Sequence, residues 1–512
     1  MVRLFGPAGK GLMLFNSYSF IFLFLPVVLL GYFALGRRSH LAPVVWLTLA
    51  SLVFYAFGGW QFVPLLLVSI AFNYGVGYLL IARKLGPRAR FAALTTGVAG
   101  DLLVLGIFKY AGFFAANLNA LLSTGLMVNI VLPVGISFYT FTQIAFLVDA
   151  YRGQVARYAL PHYALFVTYF PHLIAGPILH HKDMIPQFER AETKRPDPHL
   201  ILCGLIIFAI GLFKKTCLAD GIQPLVAQAF GPATPTFDQA WIGVLAYTFQ
   251  LYFDFSGYSD MAIGLALLFG IRLPVNVRSP YQATSIIEFW RRWHITLSRF
   301  LRDYLYIPLG GNRLGEQRRY INLLVTMLLG GLWHGAGWNF LVWGGLHGIY
   351  LSINHLWRGW RGSKPELSIA GLMVKGACWA ITFFAVVVAW VFFRAKTAAG
   401  AWQMLQGLFG VEAGSSAYAS SGILRLMDLP MLVGEERLLL IGGGAVALAL
   451  AIALCLPNVP QLFRYREYRR APERAAWVRW RPNAAWALLS ALALAISLFG
   501  MWQRLEFLYF QF

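Results

Sequence analysis

The sequence predicts an all-α polytopic membrane protein, and three observations carry that prediction. Of 512 residues, 59% are hydrophobic and only 12% are charged. The mean hydropathy of +0.63 is too high for a soluble multidomain chain. Apolar segments recur along the whole length, each close to the roughly 20 residues that a helix needs to cross a bilayer. The loops between them alternate between basic and uncharged, as the positive-inside rule requires.

The apolar segments fall at 15–35, 43–57, 61–82, 92–118, 131–150, 200–223, 240–269, 369–393, 437–456 and 484–504. No small-residue cleavage site follows the first, which therefore reads as a retained span. The segment at 43–57 is short, and those at 92–118 and 240–269 are long enough to predict tilt or breaks. Arg37 and Arg38 follow the first span, whereas the next turn, Gly58-Gly59-Trp60, carries no charge. Arg83, Lys84, Arg88 and Arg90 follow the third, 118–130 has no charge, and Arg152 and Arg157 come next. This pattern places the N-terminus outside the cytoplasm. The net charge of +21 is then mainly a topology signal, felt also by inner-leaflet lipid and by any anionic substrate. No basic module separates from the spans, so a nucleic-acid partner is not expected. Lys214-Lys215 and the basic stretch Arg464 to Arg481 read as cytoplasmic anchors. The chain 1–512 reads as one transmembrane domain, with its motif-bearing core at about 130–356 and no internal repeat.

Between the seventh and eighth segments, Ile286, Phe289, Trp290, Trp293, Leu297, Phe300 and Tyr304 recur at helical spacing. Glu288, Arg291, Arg292, Arg299 and Arg302 take the other faces. This predicts a single amphipathic helix lying at the interface, with His294 on its apolar side. Downstream, the run Trp333-His334-Gly-Ala-Gly-Trp338 places an imidazole inside a long apolar stretch. Ionisable groups at membrane depth are costly and mark cavities, partners or substrate paths. Glycines at 330, 331, 335 and 337 would allow bends and close approach of a ligand. Arg318 and Arg319 before this region and Arg358, Arg361 and Lys364 after it all read as cytoplasmic, so 320–353 must cross an even number of times. It is too short for two full spans by apolar length, which predicts a pair of short or re-entrant helices meeting near the glycines. His334 is then expected near the membrane midplane, at the constriction of a pore ringed by tilted helices, with His294 facing it.

Asp254 and Asp260 interrupt an apolar span and are either functional or paired with a polar side chain. His172, beside Pro171, could line the same cavity or simply sit at a helix break. His180-His181-Lys182-Asp183 reads as a loop at the membrane edge without metal-ligand spacing. Cys203, Cys217, Cys378 and Cys455 are isolated and read as packed thiols.

Several stretches, taken in order, resemble the membrane-bound O-acyltransferases, most nearly their bacterial alginate O-acetyltransferase branch. They are Gln250-Leu-Tyr-Phe-Asp254-Phe-Ser-Gly-Tyr-Ser-Asp260, Phe289-Trp290-Arg291-Arg292-Trp293-His294, Tyr304-Leu-Tyr-Ile-Pro-Leu-Gly-Gly-Asn312-Arg313 and Gly331-Leu-Trp333-His334-Gly. Leu132 to Tyr139, Phe170 to Pro177 and Phe507 to Phe512 also fit. The resemblance implies a ring of tilted helices around a central funnel or tunnel in the bacterial inner membrane. It implies that His334 is catalytic and that His294 positions donor or acceptor. It implies acetyl-coenzyme A as a cytoplasmic donor, with no metal or prosthetic group. Acetyl groups would end on an extracytoplasmic polysaccharide, through a separate periplasmic or extracellular transferase and alongside the synthesis and export machinery. Imidazole suits such a reaction because it is neutral near pH 7 and accepts a proton. Trp290, Trp293, Trp333, Asp254, Asp260, Asn312 and His172 are the candidate lining residues. Arg291, Arg292, Arg299 and Arg302 are candidates for the donor phosphates, although interfacial anchoring is a competing role. D-alanyl transfer to teichoic acid from a carrier protein is the sibling reaction. A transporter or a scaffold of a polysaccharide export complex are the readings from other classes.

Overall fold

The computed structural model describes residues 13–82, 85–231, 234–361, 369–411, 438–465, 478–501 and 507–508. Among these residues the secondary structure is helical, with no strand, which makes the chain an all-α polytopic membrane protein. Among the described residues, each apolar segment read from the sequence is largely helical. The N-terminal half comprises α1 (Leu25–Gly36), α2 (Ala42–Ala56), α3 (Val63–Ala82), α4 (Pro87–Leu105), α5 (Ala111–Leu122), α6 (Ile136–Tyr151), α7 (Leu160–Thr168), α8 (Phe170–Leu173), α9 (His181–Glu189) and α10 (Pro198–Phe213). Then follow α11 (Asp220–Ala229), α12 (Phe237–Leu268), α13 (Ile286–Arg292), α14 (Ile295–Leu301), α15 (Glu316–His334), α16 (Trp338–Arg361), α17 (Ile369–Arg394), α18 (Ala398–Leu408), α19 (Gly443–Cys455), α20 (Val459–Leu462) and α21 (Ala484–Gly500). By length and composition, four stretches are long and apolar enough to cross a membrane: Trp60–Ala82, Pro87–Leu122, Pro198–Ala229 and Gly371–Arg394.

The two long segments are built differently. Pro87–Leu122 runs through a π-helical turn at Gly106–Tyr110 between α4 and α5, a wider winding often found at functional sites. Helix α12 has no break. Its 32 residues extend about 48 Å, well beyond a hydrocarbon core, and almost all of them are buried. Tyr258 to Phe269 join one aromatic-rich core with α1, α2, α6 and α10. Ala246 to Phe255 join a second core with α13, α16 and α17. Thus α12 is the axis on which both halves pack.

Glycines set the closest approach to that axis. A Cβ on Gly204 would lie 2.7 Å from the Gly264 carbonyl oxygen, and one on Gly211 would lie 2.6 Å from that of Gly257. The heptad pairing 204–264 and 211–257 makes α10 and α12 antiparallel, with backbone against backbone, as small residues permit in membranes. This contact carries Lys214 to 2.6 Å from Asp260 and Lys215 to 2.7 Å from Asp254 and 2.8 Å from Asp220. Lys214 and Lys215 are therefore interior counter-ions and not cytoplasmic anchors. The stretch 466–477, most of the other expected anchor, lies outside the described residues.

Helices α15 and α16 form an antiparallel hairpin. A Cβ on Gly331 would collide with the Phe340 carbonyl, one on Gly344 with that of Met327, and one on Gly348 would lie 3.0 Å from the Leu324 Cα. Both ends of the hairpin lie on one side, as the loop charges require. Its helices are not short, however. At 19 and 24 residues they reach full spanning length, because polar turns at Glu316–Arg319 and after Asn354 extend the apolar stretch. Gly330 approaches Leu301, and Gly331 serves helix packing; neither forms the expected bend.

Candidate active site at the tip of the α15–α16 hairpin

His334 is the last residue of α15, and the next turn, Gly335–Gly337, leads into α16. Its ring is buried, 5.0 Å from Trp333, 5.0 Å from Trp343 and 5.2 Å from Phe393. Phe393 is the penultimate residue of α17, so His334 lies level with the end of that helix.

His294 reaches the same place by a different route. The amphipathic stretch is not one helix: α13 ends at Arg292, and α14 starts at Ile295. Between them His294 takes a left-handed conformation, φ 42° and ψ 53°, which is rare for a residue with a side chain. The break is held by the loop before α13. Asn276 accepts from the Ile295 amide through its backbone carbonyl at 2.9 Å, and its side-chain oxygen accepts from the Thr296 amide at 3.2 Å and hydroxyl at 2.8 Å. The Arg278 amide donates to the Arg292 carbonyl at 2.8 Å. A strained residue fixed this firmly from outside is characteristic of functional sites. The result is an imidazole 6.1 Å from His334, ring centre to ring centre, and 4.8 Å from Phe255.

Of the three candidate tryptophans, Trp333 stands against both imidazoles, and Trp293 and Trp290 extend the aromatic cluster behind them. Trp333 is 6.0 Å from His294 and stacks on Phe141 at 5.2 Å. Trp293 stands 5.2 Å from Phe255 and 5.5 Å from Trp390. The Trp290 indole N–H donates to Nδ1 of His347 at 3.2 Å. His347, fully buried and 4.8 Å from Trp343, is a site residue that the sequence reading missed. Its signal was its place one turn beyond Trp343 on the apolar face. With Nδ1 accepting, the neutral ring carries its proton on Nε2, which finds no hydrogen-bond partner among the described residues.

The other candidates are brought elsewhere or are already engaged. Asp254 and Asp260 are held by Lys215 and Lys214, and Asp254 also accepts from the Leu508 amide at 3.1 Å. His172 donates its Nε2 proton to the Phe166 carbonyl at 3.0 Å, a satisfied core histidine. Asn312 is exposed in the turn before α15. Arg292 pairs with Glu288 at 2.8 Å, Arg299 with Asp183 at 3.1 Å and Arg302 with Asp303 at 2.7 Å, whereas Arg291 is exposed. Burial raises the Glu288 carboxyl, but Thr284 and Arg292 outweigh it and hold the group below the usual carboxylate range. His180 and His181 are buried and do not form an edge loop. His181 lies 3.2 Å from Asp149, and the Tyr304 hydroxyl 3.1 Å from His180. At the C-terminus, Phe507 and Leu508 are buried, and Phe507 lies under the Lys215 ammonium at 4.8 Å. Tyr509, Phe510 and Phe512 lie outside the described residues, as does 412–437.

A cavity of about 590 Å³ opens at the hairpin tip, lined by Asn117, Trp338, Asn339, Phe393, Arg394 and Lys396 among others. A buried imidazole pair in an aromatic enclosure beside an open cavity suits proton transfer with water excluded.

Comparison with known proteins gives the family of the chain. The model of the membrane-bound O-acyltransferase family matches residues 102–393, a range that holds both histidines. The chain is 43% identical over 485 residues to a peptidoglycan O-acetyltransferase of Helicobacter pylori, covering 88% of this chain and 91% of that protein. It is 45% identical over 403 residues to the probable alginate O-acetylase AlgI of Pseudomonas aeruginosa, covering 78% and 75%. A teichoic acid D-alanyltransferase of Streptococcus thermophilus is 29% identical over 237 residues, covering 44% and 57%. On this match and these identities, the chain belongs to the membrane-bound O-acyltransferase family, in its AlgI-like branch, and is an O-acyltransferase.

Proposed function

We propose that this enzyme moves acetyl groups from cytoplasmic acetyl-coenzyme A to hydroxyls on the other side of the membrane, for O-acetylation of an extracytoplasmic polysaccharide. The observation that carries the reading is the pair of buried imidazoles 6.1 Å apart at the hairpin tip. The names of the relatives, peptidoglycan O-acetyltransferase and probable alginate O-acetylase, support the acetyl group and a glycan as its destination.

In this reading a ring nitrogen of His334 takes the proton of the acceptor hydroxyl as its oxygen attacks the thioester carbonyl. The new C–O bond forms, the C–S bond breaks, and the thiolate leaves with the proton from the imidazolium as free coenzyme A. His294 orients one of the two reactants. The aromatic walls exclude water, which would otherwise hydrolyse the thioester. With Arg292, Arg299 and Arg302 engaged by carboxylates, Arg291 is the best placed of the four to attract the donor phosphates. The acceptor enters through the cavity beside Trp338 and Lys396. The immediate acceptor is a hydroxyl of a separate extracytoplasmic transferase that passes the acetyl group to the polymer. The chain 1–512 acts as one domain in the bacterial inner membrane, with its N-terminus outside.

The test is turnover in proteoliposomes. Wild type should release coenzyme A thiol from acetyl-coenzyme A when an acceptor is supplied, and His334→Gln should not. Turnover of a D-alanyl carrier-protein thioester, with none of acetyl-coenzyme A, would replace the donor. Normal acetylation by His334→Gln would overturn the assignment of the base.

A further inference from the structure

We propose that Lys109 and Tyr110 are positioning residues for His334, acting on the backbone of the helix that carries it. Helix α15 ends at His334, and the last four carbonyls of a helix have no partner within it. Here each has one. The Gly331 carbonyl receives the Gly335 amide at 3.4 Å. The Leu332 carbonyl receives the Tyr110 hydroxyl at 2.9 Å. The Trp333 and His334 carbonyls both receive the Lys109 ammonium, the latter at 3.3 Å. The ammonium also reaches the Ser137 hydroxyl at 3.4 Å and lies 5.8 Å over the Trp333 ring. Three of the four bonds thus come from two adjacent side chains of another helix.

The π-helical turn Gly106–Tyr110 is where both donors lie. A cation at a helix C-terminus is also favoured by the helix dipole. A lysine at this depth is costly unless it is used, and a neutral donor could have capped the helix more cheaply. The ammonium supplies several donors at once and so ties the last two residues of α15 to one point. These bonds anchor the end of α15 that carries His334, while the bonds of Asn276 and Arg278 to residues 292, 295 and 296 anchor the backbone around His294. Pre-organisation of this kind matters because a displacement of about 1 Å can cost about a hundredfold in rate.

The inference rests on His334 being the base, and the test separates the two claims. Lys109→Met, Lys109→Arg and Tyr110→Phe would be compared with wild type and His334→Gln in proteoliposomes. The readouts are kcat, KM for acetyl-coenzyme A, and hydrogen exchange of the peptide spanning 330–337. Lys109→Met should lower kcat about a hundredfold, leave KM within about twofold, and accelerate exchange at the end of α15. Tyr110→Phe, which removes one hydroxyl, should lower kcat about fivefold, the worth of one ordinary hydrogen bond. Lys109→Arg should recover most of the activity, since a cavity of about 140 Å³ beside Lys109 gives the larger head room. An inactive His334→Gln alongside a fully active Lys109→Met with unchanged exchange would overturn the positioning role alone. Full activity in both variants would overturn the reading of His334 as base, and the positioning role with it. Loss in Lys109→Met through KM, with kcat intact, would also overturn it.

Discussion

His334 and His294 occupy different backbone conformations, and this decides how each is best removed. His334 ends a regular helix and is walled by Trp333, Trp343 and Phe393, so alanine would leave a void among large rings, at a cost in stability. The glycines nearby do not give it open space, since Gly331 is spent on the contact with α16. Glutamine keeps most of the volume and some polarity. His334→Gln should therefore express and fold like wild type, yet lose about 10²–10⁴-fold in acetyl transfer, the range for loss of a general base. The acetyl content of exported polysaccharide in a complemented deletion strain, alongside membrane protein level, measures both. His294 sits at φ 42°, which asparagine tolerates and β-branched residues do not. His294→Asn should keep the fold and reduce activity, by less than loss of the base does. His294→Val should reduce the folded yield itself, as fluorescence-detected gel filtration would show. Equal yields for asparagine and valine would mean that the left-handed turn is not required.

At the scale of elements, the interior ion pairs give the sharpest prediction. Removing one partner of a buried pair leaves a charge uncompensated, which costs about 3–5 kcal/mol, whereas replacing both with apolar residues is often neutral. Asp260→Asn should therefore lower the thermal midpoint of the solubilised protein more than the double variant Lys214→Met, Asp260→Met. A double variant less stable than either single one would contradict a merely structural role for this pair. The sequence showed the ten apolar helices because composition and length are local properties. It also pointed to both histidines, since an imidazole in an apolar run stands out without any knowledge of contacts. It failed where tertiary contact overrides pattern. The periodicity from Ile286 to Tyr304 predicted one helix, but hydrogen bonds donated by Ile295 and Thr296 to Asn276, in the loop before α13, break it at His294. The α15–α16 hairpin looked too short because its end turns are polar. Lys109 passed unnoticed within a span, and His347 with it, because their partners lie far away in sequence.

At the scale of the whole molecule, the remaining question is which way the hairpin points. The loop charges put Arg38 inside and the uncharged turn at Trp60 outside. The same rule puts the start of α15 inside and the end of α17, with Arg394 and Lys396, outside. The structure couples these assignments. The hairpin tip and the end of α17 line one cavity, and His334 touches Phe393, so the tip and Lys396 must face the same side. A donor from the cytoplasm would then travel along most of the hairpin, whereas an acceptor would need to enter only the outer cavity. Single cysteines report this directly, provided that the four native ones are first replaced, Cys455 being exposed. In intact spheroplasts a membrane-impermeant maleimide should label Trp60→Cys and Lys396→Cys, at residues that are exposed. It should reach Arg38→Cys and Glu316→Cys, also exposed, only after the membrane is opened. Labelling of Glu316→Cys from outside would invert the hairpin. The donor and acceptor would then have to exchange entrances, and the proposed direction of acetyl transfer would fail even if both histidines proved essential.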